Sequence, residues 1–177
     1  MGPLDMLIIL VAVGVVAFLT YQRMARALFS LVVTWVATLL SALLYKEAAF
    51  RLKAVIGPNR SLNEGAFFIG LFILFFVVGY FVLRAAFPVT KLPKLGILDF
   101  VMGFLLSLIV AAVIVTLLHN AIGVMVSERW MNYPSWMRMR NEFYASPLQP
   151  FSRAVLSLYQ WLFVPFLNPL PPVLTPL

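Results

Sequence analysis

Apolar residues in this chain do not alternate with polar ones at a helical or strand period; they continue through long contiguous runs. A helix rising about 1.5 Å per residue needs roughly 20 mostly apolar residues to cross a hydrocarbon core about 30 Å thick. Four stretches meet that demand, near residues 5 to 22, 27 to 45, 66 to 87 and 98 to 119. The pattern therefore predicts an all-α fold: an integral membrane bundle of about four transmembrane helices within residues 1 to 126, and an interfacial C-terminal segment over residues 127 to 177. Asp5 and Asp99 each stand directly before an apolar run, where a carboxylate can accept bonds from orphan N–H groups and favour the positive helix end. Both are predicted N-caps.

The polar breaks set the connections. The first, Tyr21-Gln22-Arg23-Met24-Ala25-Arg26, predicts a tight antiparallel hairpin with both arginines at headgroup level, which makes helices one and two neighbours. The second, from Lys46 to Gly65, begins as an amphipathic extension in which Glu47, Arg51 and Lys53 oppose Phe50, Leu52 and Val55. It breaks at Gly57-Pro58-Asn59 and is expected on the membrane surface. The third, Pro88 to Gly96, carries two prolines, Lys91 and Lys94, and reads as a stiff basic turn.

Past residue 125 charges return, prolines recur at 134, 147, 150, 165, 169, 171, 172 and 176, and Trp130, Tyr133, Trp136 and Tyr144 crowd together. Such aromatic enrichment belongs to a membrane interface. Residues 152 to 164 read as a short helix with Arg153 at one end and Leu156, Leu158, Trp161, Leu162 and Phe163 beyond it. That length is too short to span, so the segment is expected to be interfacial or re-entrant.

Composition agrees with the pattern: 63% of the 177 residues are hydrophobic and only 11% are charged. The net charge of +7 would suggest nucleic acid in a soluble protein, but the basic residues lie between apolar runs rather than in one stripe. Lipid headgroups are the expected partners of Arg23, Arg26, Arg51, Lys53, Lys91 and Lys94, and nucleic acid is not expected. The absence of cysteine excludes disulfides, thiolate nucleophiles and Cys-ligated metal clusters. No basic stretch precedes the first apolar run, which reads as a retained helix rather than a cleaved signal. Eight Lys/Arg fall on the side of the N-terminus, second loop and tail against five on the other; without the tail the balance is four to five, too even to set an orientation.

Candidate chemistry is sparse. Ser30, Thr34, Thr38 and Ala42 recur at steps of four on helix two, and Gly103, Ser107 and Ala111 repeat the device on helix four, with Ala66 and Gly70 early in helix three. Small residues at this spacing let helices approach closely. A conduction path would normally need an ionisable group at membrane depth, and the middle of every predicted helix lacks one. His119, the single histidine, sits at the predicted end of helix four beside Asn120. It could ligate a metal or pigment, but one ligand makes no site, and an imidazole bonded to water or loop carbonyls is the simpler expectation. Glu47, Glu64, Glu128 and Glu142 are placed in loops or the tail without the paired spacing a hydrolase needs, and read as solvated or salt-bridged. Seven phenylalanines on helix three (67, 68, 72, 75, 76, 81 and 87) could line a pocket for a lipid tail, quinone or pigment, and a packing or lipid-facing surface is the plainer reading. No catalytic residue, metal or cofactor is expected. Trp130, Tyr133, Trp136, Met137, Tyr144 and Trp161 form adaptable apolar surface, suited to docking other membrane subunits or a second copy, or to anchoring in headgroups.

Two stretches carry a family resemblance. Leu4-Asp5-Met-Leu-Ile-Ile-Leu runs through Tyr21-Gln22-Arg23 into Ala27-Leu28-Phe29-Ser30-Leu31, and Leu95-Gly96-Ile97-Leu98-Asp99 opens a helix with Gly103 four residues on and Ser107 after it. Together they resemble the colicin V production protein family, over residues 4 to about 120. Tyr21 and Ala25 stand where the family usually has glycines, and the tail from Ser127 has no counterpart in the resemblance. Membership implies a multi-pass protein of the bacterial cytoplasmic membrane linked by name to toxin production, and brings no catalytic residues. The reading that follows is a non-enzymatic scaffold or accessory subunit; the alternatives are an export factor for a small molecule or peptide, or a subunit flanking a pigment or quinone site.

Overall fold

A computed structural model of the chain describes residues 2–51, 60–87, 96–127 and 134–176. These form helices and no strand: α1 (Pro3–Tyr21), α2 (Arg23–Arg51), α3 (Arg60–Ala86), α4 (Gly96–Ser127), α5 (Pro134–Tyr144) and α6 (Leu148–Tyr159), followed by 3₁₀ turns at Gln160–Leu162 and Pro172–Leu174. The first four are long and apolar enough to cross a membrane. The predicted bundle of spanning helices is present, with longer members than the apolar runs indicated.

The boundaries differ for local reasons. Pro3 opens α1 two residues early, where its missing N–H costs nothing. Between α1 and α2 only Gln22 intervenes, because Arg23 takes a left-handed φ of 73° and turns the chain at once. The six-residue connection expected from sequence is thereby shortened. Glu47 and Arg51 pair at 2.7 Å one helical turn apart and carry α2 six residues past its apolar run, while the same device, Arg60 to Glu64 at 2.7 Å, opens α3 early. Glu47 and Glu64 are therefore helical and ion-paired rather than in loops. The helix α4 runs on to Ser127, so His119 lies inside it rather than at its end.

Within each spanning window, 17% of α1 and 11% of α3 is buried against 44% of α2 and 50% of α4, which makes α2 and α4 the centre and the other two the flanks. Helix α4 touches every other spanning helix, and α1 packs more extensively along α4 than against its sequence neighbour α2. In hydrocarbon no hydrophobic force draws helices together, so contact falls to close packing and polar bonds. Helices α2 and α3 run antiparallel, with Phe29 stacked on Phe87 at 4.9 Å and Tyr45 edge-on to Phe68 at 6.1 Å. A Cβ on Gly79 would come 2.9 Å from Val33, showing how closely the pair approaches.

The C-terminal segment does not lie flat on the surface. Helix α6 starts beside Asp5 at one end of the bundle and descends along α4. Its last residue, Tyr159, meets Thr38 within α2 at 3.3 Å. Phe163 and Phe166 then contact Trp35 at 6.1 and 5.5 Å, and Leu162 lines a groove with Ile109 of α4. Ile109 is ten residues, about 15 Å, from both Asp99 and His119, hence near mid-bilayer. From there the chain climbs back through a cis Asn168–Pro169 bond until Val173 and Thr175 reach Asn120. Residues 152 to 164 thus pack along the bundle beside α2 and α4, and the chain then turns back toward Asn120.

Candidate functional site

Several polar residues buried in the bundle serve as ties between elements. Asp99, 3% exposed, lies in the first turn of α4, but its Oδ1 accepts the Met24 N–H at 3.1 Å. It therefore caps α2 rather than its own helix, satisfying one of the orphan donors every helix start presents. Gly103, one turn on, makes this approach possible: a Cβ there would stand 2.9 Å from both the Arg23 carbonyl carbon and the Met24 nitrogen.

Asp5, 2% exposed, is the third residue of α1, not its N-cap. One carboxylate oxygen takes the Gly2 N–H at 3.0 Å and the other takes the Ser146 hydroxyl at 2.5 Å. Ser146 in turn accepts the Leu148 N–H at 3.1 Å, so Asp5 holds the start of α6 through one intermediary. The two aspartates thus do parallel work at opposite ends of the antiparallel pair α1 and α4: each anchors the beginning of another helix.

Beside Asp5, His119 is 1% exposed and stacks on Phe143 of α5 at 4.6 Å. The Asp5 carboxylate acts on the ring electrostatically. Its Nε2 has no hydrogen-bond partner among the described residues. The ring is covered by α5, because α4 continues past it. Among the described residues no group of three His, Cys, Asp or Glu could hold a metal ion. Asn120 next to it donates to the Val173 carbonyl at 2.6 Å and the Thr175 carbonyl at 3.0 Å, fastening the returning chain.

Ser30, Thr34, Thr38 and Ala42 are all buried on α2, and Gly103, Ser107 and Ala111 on α4. Thr34 and Thr38 donate back to the Ser30 and Thr34 carbonyls, each at 2.7 Å, the usual way a hydroxyl satisfies itself within an apolar helix. With its hydrogen so used, Thr38 accepts from the Tyr159 hydroxyl. Ser107 similarly donates to the Phe104 carbonyl and accepts from Thr20 of α1 at 2.8 Å. Gly70 differs: it faces outward, and a Cβ there would meet nothing within 4 Å. The close approach of α3 to α4 is at Gly65, where a Cβ would fall 2.7 Å from the Ala121 carbonyl of α4. The phenylalanines divide: Phe68 and Phe72 are buried and stacked, Phe81 is exposed, and Phe87, just past α3, is part-exposed against Phe29.

Of the docking residues, Met137, Tyr144 and Trp161 are exposed and Trp136 is half-buried; Trp130 and Tyr133 lie outside the described residues. Trp161 is exposed just past the end of α6, where the chain packs beside the middle of α2 and α4. Arg23 and Arg26 are at the α1–α2 turn and Arg51 ends α2 in its pair with Glu47. Lys53, Lys91, Lys94, Glu128, the Gly57-Pro58-Asn59 break and the basic turn from Pro88 fall outside the described residues. Sequence reasoning passed over Asn120, Ser146, Tyr159, Gly65 and Gly79. Asn120 offered a signal, an amide within an apolar run, and Tyr159 another, a phenol on a segment too short to span.

The profile of the colicin V production protein matches residues 4–149, most of the chain. The chain belongs to that family. The match runs past residue 120, where the resemblance was expected to stop, and takes in all of α5 and the first residues of α6. Family membership and the four apolar helices make this a multi-pass membrane protein. No curated protein and no solved structure matches it.

Proposed function

We propose that the chain is a non-enzymatic scaffold or accessory subunit of a larger assembly in the bacterial cytoplasmic membrane. One observation carries the reading: both buried aspartates, and several buried amide and hydroxyl groups, are engaged as ties between elements. Asp99 holds α2, Asp5 holds α6 through Ser146, Asn120 holds the returning tail, and Thr20 holds α4 through Ser107. A body fastened in this way offers shape and surface, and its exposed Met137, Tyr144 and Trp161 are residue types that anchor partners. Affinity purification of the full chain from its native membrane after brief cross-linking tests the proposal. A second copy or a distinct membrane protein in fixed ratio is expected; a lone monomer would sink the idea.

The re-entrant segment favours a second reading. Irregular backbone at membrane depth is tolerated where it is buried in protein or lines a cavity, and transporters use broken helices there. In that case the chain would be an export factor for a small molecule or peptide, its path completed by oligomerisation. Reconstituted vesicles that leak a candidate substrate, and stop leaking with Thr34→Leu or Ser107→Leu, would favour this reading; tight vesicles would end it.

A further inference from the structure

A hydroxyl on a helix has an acceptor ready in its own backbone, and several in this chain use it. Thr34, Thr38, Ser41, Ser107, Ser127 and Ser157 each donate to the carbonyl three or four residues back, at 2.7 or 2.8 Å. Thr116 of α4 and Ser152 of α6 do not. Both are buried, 0% and 4% exposed, and neither hydroxyl has a hydrogen-bond partner among the described residues. A buried hydroxyl left unpaired is costly, so a polar atom that turns away from its own helix points to something else that bonds it.

The two hydroxyls stand between the same pair of helices. On α6, Ser152, Leu156 and Tyr159 are buried at steps of four and three, which makes one inward face. On α4, Ile109, Val113, Thr116 and Asn120 follow the same spacing and form one stripe. Tyr159 and Leu162 meet the first two residues of that stripe across a shared groove. Helix α6 runs from the Asp5 end towards that groove, antiparallel to α4. Ser152 stands seven residues before Tyr159, about 10 Å back towards Asp5, and Thr116 stands seven residues beyond Ile109 in the same direction. The register therefore brings Ser152 and Thr116 to one level of the α4–α6 interface, and both side chains there are small.

We propose that Thr116 and Ser152 share an internal water molecule that bridges α4 and α6. Such a water takes two to four polar partners; the two hydroxyls supply two, and helix carbonyls, each with a second lone pair, can supply the others. The site stands apart from the scaffold reading, since an exporter would carry it equally. Overhauser transfer from water to labelled threonine methyls, recorded on the full chain in deuterated micelles, tests it. A water cross-peak is expected at Thr116 and none at Thr34 or Thr38, which are as deeply buried but bond back to their own helix. Ser152→Ala, which removes one partner of the water, should abolish the Thr116 peak. Ser41→Ala, which removes a self-bonded hydroxyl elsewhere, should leave it unchanged. If Ser152→Ala does not fold, the comparison of Thr116 with Thr34 and Thr38 in the unaltered chain still decides. A Thr116 methyl without water contact overturns the proposal, and so does an equal peak at Thr34 and Thr38. Survival of the peak in Ser152→Ala, or its equal loss in Ser41→Ala, does so too.

Discussion

Gly103 and Gly70 were equivalent in sequence, small residues in apolar helices, and differ in what surrounds them. A methyl at Gly103 meets backbone of the α1–α2 turn, whereas one at Gly70 meets open space. Gly103→Ala is therefore expected to destabilise by about 1–3 kcal/mol. Gly70→Ala should be neutral or stabilise by about 0.5–1 kcal/mol through helix propensity. Thermal unfolding midpoints in detergent, compared side by side, check both. Asp99→Leu should cost about 1–3 kcal/mol by leaving the Met24 N–H without its acceptor, and hydrogen exchange at Met24 should quicken. His119→Phe removes a buried nitrogen that lacks a partner among the described residues and keeps a ring against Phe143, so stability should hold or rise. A fall in stability would show that the imidazole makes a bond of consequence. Asp99 was legible as the residue opening a helix. Its true partner, 75 positions away, was not, because nothing local to Asp99 encodes which turn will lie beside it.

For the elements, hydropathy located each spanning helix but marked its ends by where side chains became polar. The helices themselves stop where backbone partners run out, so ion-paired turns at Glu47–Arg51 and Arg60–Glu64 extend them beyond the apolar runs. The tail's length excluded a full crossing and left two placements open; the bonds from Tyr159 and Asn120, made to helices far off in sequence, fasten it along the bundle. The depth of the tip is directly testable. With Trp35, Trp130 and Trp136 replaced by Phe, the remaining Trp161 should be quenched most strongly by lipids brominated near the chain ends. Quenching strongest from bromine near the headgroup would place the segment on the surface instead. Asn120→Leu, which removes both bonds to the returning chain, should make residues beyond 170 more accessible to protease while leaving the four spanning helices folded.

On the scale of the whole molecule, α4 is the post on which the other elements are hung. It contacts α1, α2, α3, α5 and α6, and its Asp99 and Asn120 each hold a distant segment. The cap that Asp99 places on α2 also has a bearing on how the protein is made. Chains emerge from the ribosome N-terminus first, so the α1–α2 hairpin enters the bilayer long before the carboxylate that completes its turn has been translated. Until synthesis passes residue 99, the hairpin waits as an unfinished piece with a bare amide at its bend. Ser146 reaches back to Asp5 in the same late-to-early direction. A nascent chain halted between α2 and α4 would accordingly be a client for whatever shields half-built membrane proteins, and only arrival of the fourth helix would discharge it.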